Sequence, residues 1–133
     1  MTDATTSPEL RVESATEIAV TAGPLVGPVL RRVVGMLAAR ANLPLDKLDE
    51  AVLVADVIAQ RAGPYAPDAV QVSLAPGEGT LWMRIGPLAA GGAQALLEEA
   101  PDVGSIILTV AEQVHVDTAD DGEYLRVCVT HAG

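Results

Sequence analysis

Between Val29 and Ala41 the apolar residues Leu30, Val33, Val34, Leu37 and Ala41 recur at three- and four-residue steps. That spacing marks one face of an α-helix, so it predicts a helix over 29–41. Arg31, Arg32 and Arg40 fall away from the centre of this face. Asn42-Leu-Pro-Leu45 breaks the pattern, because a proline disfavours helical backbone at the residue before it. A second helix is predicted over about 45–62. Asp46, Asp49 and Glu50 crowd its first turns, where the helix dipole favours negative charge. From Ala51 to Ala59 it is apolar except for Asp56, and Gly63-Pro64 ends it.

Elsewhere the period is two. Leu10–Glu13 and Glu17–Thr21 read as short strands or one interrupted strand. Gly23–Pro28 holds two prolines that fit only a loop or a helix's first turn. Val70, Val72 and Leu74 alternate with Gln71 and Ser73, and Leu81, Met83 and Ile85 alternate with Trp82 and Arg84. With Ala75–Gly79 between them these runs predict a hairpin. Gly86–Gly92 reads as a loop, 93–100 as a short helix and 105–112 as another. A second hairpin follows, with strands 114–118 and 124–130 around a turn at 119–122. The order is strand, two helices, two strands, two helices, two strands. It predicts an α+β fold, a two-layer α/β sandwich whose mixed, mostly antiparallel sheet carries helices on one face. Residues 1–9 are small and polar and read as a flexible leader, with a single domain over 10–133.

Composition narrows the chemistry. Half of the 133 residues are hydrophobic, yet there is no Phe, one Trp and two Tyr, so the core must be aliphatic. Eight basic against eighteen acidic residues give a net charge of −10. That balance repels phosphate backbones and anionic membranes, which argues against nucleic-acid partners. No apolar run approaches the roughly 20 residues that span a bilayer. The first residues lack a basic and an apolar stretch, so no secretory signal is expected and the cytoplasm is the default placement. A single cysteine, Cys128, excludes an internal disulfide and a cysteine-rich zinc site.

Asp56 is the only charge between Glu50 and Arg61. Asp49, Asp56 and Gln60 fall on one stripe at about 100° per residue. An acid and an amide four residues apart can orient a water or hold a hydrated cation, and they equally describe the wet side of an ordinary helix. Gly86, Gly91 and Gly92 precede a helix, as phosphate-cradling glycines do, but no lysine follows, and a flexible linker is the simpler reading. Ser105 sits at a helix start and reads as a cap. His115 reads as an ordinary face residue and Cys128 as an inert, half-buried thiol.

The element order and the helix Leu48–Ala62 resemble the histidine-kinase-like ATPase (GHKL, or Bergerat) fold, specifically the bacterial anti-sigma-factor serine kinases. The resemblance covers about 17–130. It implies that Asp56 stands where the family has its catalytic base and Gln60 where an Asn holds Mg²⁺. It matches Gly104–Val116, Asp120–Gly122 and Tyr124–Val129 to the phosphate-contacting glycine and the closing strands. Gly86 and Gly104 then belong, with Gln60, to a remnant nucleotide site. The boxes depart from the family. Gln60 is one methylene longer than Asn, and Gly86-Pro-Leu-Ala-Ala carries no acid for the adenine amino group. The glycine pair is reduced to Gly104. Each lost contact costs about 1–3 kcal/mol, which over three contacts weakens binding by powers of ten.

The expectation is a regulatory protein-binding module resembling an anti-sigma factor, with lost or very weak ATP binding and no required cofactor. Its partner would be a sigma factor or an anti-sigma-factor antagonist, and the family implies a homodimer. The alternative is an active serine/threonine kinase using Mg-ATP, with Asp56 as base and Gln60 on the metal.

Overall fold

A computed structural model describes residues 15–98 and 105–131. The expected leader and the strand at 10–13 lie outside these residues, as does Gly104.

The chain enters as β1 (Thr16–Thr21) and continues into α1 (Val26–Arg40) and α2 (Leu45–Arg61). A 3₁₀ turn, Gly63–Tyr65, leads to the hairpin β2 (Ala69–Gly77) and β3 (Thr80–Leu88). Two short helices, α3 (Gly92–Leu97) and α4 (Ile106–Val110), precede the closing hairpin β4 (Gln113–Ala119) and β5 (Gly122–Thr130). The five strands form one sheet in the order β1-β2-β3-β5-β4. Every pairing is antiparallel, so the parallel component of the expected mixed sheet is absent among the described residues.

The alternation read from sequence sorts the two faces of the sheet. Val70, Val72, Leu74, Leu81, Met83, Ile85, Leu125, Val127 and Val129 are all buried. They meet Leu30, Val34, Leu37, Val54 and Ile58 in one aliphatic core, with α1 on β2 and β3 and α2 on β5. The helices therefore form a second layer on one face, the expected two-layer α/β sandwich.

Element ends follow local chemistry. Helix α1 begins at Val26, so Pro28 sits in its first turn, where a missing N–H costs nothing. It closes on Asn42, in the left-handed region at φ 61°. The N–H of Asn42 donates to Ala39 O at 3.0 Å and that of Leu43 to Ala38 O at 3.1 Å, the paired bonds of a Schellman end. The first hairpin turns more tightly than expected, at Glu78-Gly79, because Ala75–Gly77 stays in β2. Pro76 is tolerated there because, among the described residues, β1 pairs with β2 only as far as Leu74, so no described strand takes a bond from the proline on that side. Helix α4 stops at Val110, short of the expected 112. Glu112 leaves the helix to accept from Lys47 Nζ at 2.9 Å and from the Thr130 N–H at 2.9 Å. Ser105 is the cap it reads as, its Oγ accepting from the Leu108 N–H at 3.1 Å.

Candidate functional site

The stripe of Asp56 and Gln60 lies on α2 beside α1. The two helices run antiparallel across a short linker, so residues roughly equidistant from Leu43 face one another. At Gly27 an added Cβ would stand 3.6 Å from the Ala59 Cβ, which marks the close approach of the pair. One turn further along α1, Arg31 meets Asp56. Its Nε donates to Asp56 Oδ1 at 3.1 Å and its Nη2 to the same oxygen at 2.8 Å. The guanidinium is 61% exposed and the carboxylate 27%, so the pair adds about 0–1 kcal/mol to stability. Both hydrogen bonds fall on Oδ1 of the carboxylate that would serve as a base. Gln60 is exposed one turn away.

Gly86 is elsewhere. It lies in β3 where the pairing with β5 shifts register, and it lines a depression on the sheet face opposite the helices. The fold therefore brings Asp56 and Gln60 onto one stripe and does not bring Gly86 to them. Among the described residues no group of three or more His, Cys, Asp or Glu side chains is placed to hold a metal ion.

The glycine-rich loop is tied down rather than loose. The N–H groups of Gly91 and Ala93 donate to the two oxygens of Glu123, each at 3.1 Å. A carboxylate from β5 thus sits on the first N–H groups of α3, where an anion is favoured. The Ala89 N–H donates to Tyr65 O at 2.7 Å, and Gly92 packs so tightly on Leu88 and Tyr65 that an added Cβ would come within 2.8 Å. Arg61 fastens the end of α2 to α3 through the Ala95 carbonyl at 2.8 Å.

Three further charged groups matter for stability rather than chemistry. Lys47, the only lysine, lies 3.1 Å from Glu50 Oε1 and 2.9 Å from Glu112 Oε2. The contact to Glu50 lacks hydrogen-bond geometry, and that oxygen is buried with no hydrogen-bond partner. The hydrogen bond that Lys47 donates to Glu112, then its close contact with the Glu50 carboxylate, raises the Lys47 pKa. For Glu112, burial pushes upward, but the bonds from Lys47 and the Thr130 N–H outweigh it and the pKa is lowered. Cys128 is buried, and burial pushes its thiol up to about 11, which fits an inert group.

In the sequence Arg31 falls off the apolar face of its helix with no partner marked for it. The antiparallel geometry of two helices joined by a short linker is the signal that finds it. Nothing in the local sequence pairs Glu123 with Gly91, 32 positions away.

No family model matches the chain, and no curated protein matches it. Among solved structures it is similar to the crystal structure of the RsbU and RsbW domains of Rv1364c from Mycobacterium tuberculosis. The TM-score is 0.60 at 12% identity, over 87% of this chain and 31% of that one. The likeness is one of fold. It agrees with the two-layer architecture, and the chain spans under a third of that protein's length. No helix among the described residues is long and apolar enough to cross a membrane.

Proposed function

We propose that the protein is a regulatory protein-binding module of the anti-sigma type that works without ATP. Its partner would be a sigma factor or an anti-sigma-factor antagonist. The Arg31–Asp56 pair carries this reading. A general base must accept a proton from its substrate, and here the acid of the stripe already accepts two hydrogen bonds from a guanidinium. The residues present do not fit Mg-ATP in one other respect. The N–H groups of Gly91 and Ala93 already serve a carboxylate, which repels phosphate from the loop. The sequence resemblance to anti-sigma-factor serine kinases and the fold likeness to the RsbU–RsbW protein support the regulatory half of the proposal. A net charge of −10 favours a basic docking surface on the partner.

Calorimetric titration with Mg-ATP, with ADP as control, tests the reading. No heat up to millimolar nucleotide is expected, for the wild type and for Gln60→Asn alike. Micromolar binding would overturn the proposal in favour of the kinase, and phosphate transfer to a candidate antagonist would then be the next assay.

A further inference from the structure

The sheet face turned away from the helices carries a depression of about 380 Å³, within the roughly 300–1,000 Å³ usual for small-molecule sites. It exists because three neighbouring strands place small residues there: Ala19 on β1, Ser73 on β2 and Gly86 on β3. Gly86 is obligatory. At φ 147° an added Cβ would stand 2.6 Å from both the Glu123 carbonyl oxygen and the Tyr124 ring. The walls are charged. Glu17, Ser73 and Arg84 form one row across the sheet, through the register pairs Glu17–Ser73 and Ser73–Arg84. Strands stand about 4.8 Å apart, so Glu17 and Arg84 flank Ser73 with their Cα atoms about 10 Å apart.

The positive wall is held in place. The Arg84 guanidinium carbon lies 3.9 Å from the centroid of the Tyr124 ring, and the Tyr124 hydroxyl donates to Asp121 Oδ2 at 2.6 Å. Neither Arg84 nor Glu17 takes part in an ion pair among the described residues, whereas the neighbouring Arg126 is neutralised by Asp117. The depression thus offers an unpaired cation and an unpaired carboxylate on opposite sides of a hydroxyl. A lone anion would meet Glu17 and Asp121, and a lone cation would meet Arg84. A ligand carrying both charges satisfies both walls.

We propose that this depression binds a small zwitterion. Its carboxylate lies on the Arg84 guanidinium and its ammonium on Glu17, with the backbone between them over Ser73 and Gln71. The site lies on the opposite face of the sheet from α2, so it stands or falls independently of the nucleotide question.

The test is an amide-shift titration of the full ¹⁵N-labelled chain with L-alanyl-L-alanine. Its N-acetyl and C-amide derivatives and free L-alanine serve as comparison ligands. Saturable shifts centred on Glu17, Ser73, Arg84 and Gly86 are expected. Arg84→Met and Glu17→Gln, both at exposed positions, should each weaken binding about tenfold or more. Each blocked derivative should bind the wild type correspondingly weakly. Absence of saturable shifts overturns the proposal. So does equal binding of a blocked derivative, or binding that survives both substitutions. The comparison among ligands needs only the wild type, so a variant that folds poorly does not rescue or sink the idea.

Discussion

Two glycines separate what a side chain costs in this molecule. Gly35 lies within α1, and an added Cβ there meets nothing within 4 Å. Gly35→Ala removes backbone freedom from the unfolded chain at no steric cost and should stabilise by about 0.5–1 kcal/mol in urea denaturation. Gly86→Ala is the opposite case, since backbone and ring both stand 2.6 Å from the new carbon and φ is left-handed. It should destabilise by about 2 kcal/mol or more, with Tyr124 displaced. Equal effects would mean that the β3–β5 junction relaxes freely. Residue burial also decides where a test of the homodimer implied by the family resemblance can be made. Leu30, on the apolar face of α1, is 1% exposed, so Leu30→Asp would unfold the core rather than report an interface. Met36, 52% exposed on the same helix, is the appropriate probe.

At the scale of elements, helices and hairpins were legible because their determinants are local. Leu30–Val34–Leu37 and Val70–Val72–Leu74 each announce a period within one element. Helix α2 matches its expected span to within a residue. The candidate site was less legible because its decisive contacts join distant elements. Arg31 reaches Asp56 across 25 positions and Glu123 reaches Gly91 across 32, and no periodicity encodes either. The same is true of Lys47 and Glu112, which fasten α2 to the start of β4. Their pH signature follows from the direction of the shift. Glu112 is held below its ordinary value of 4.5, so its contribution is present above that pH and is lost as pH falls through the lowered folded value. Wild type should therefore exceed Glu112→Gln in stability near neutral pH, with the gap closing below 4.5. Urea midpoints across pH 3–7 check this. A gap that persisted in acid would assign the effect of Glu112 to packing rather than charge.

For the whole molecule, charge dominates. Ten excess negative charges act against compaction, while the four ion pairs among the described residues are partly exposed. Salt shortens the Debye length from about 10 Å at 0.1 M to about 3 Å at 1 M. It should screen the repulsion more than it weakens the pairs. Added sodium chloride is thus expected to raise Tm, and a fall would show that the ion pairs outweigh the net charge.

The buried thiol of Cys128 makes the protein a clock for its own opening. There is one cysteine in the chain, it lies 2% exposed on β5 beside Trp82, and its pKa of about 11 keeps thiolate scarce. A disulfide reagent in solution reacts with chains in which the cover of this thiol has transiently opened. The rate of colour release in native buffer therefore counts those openings. Because β5 lies between β3 and β4 in the sheet, that rate will register a ligand or partner that steadies this part of the sheet, with no label added.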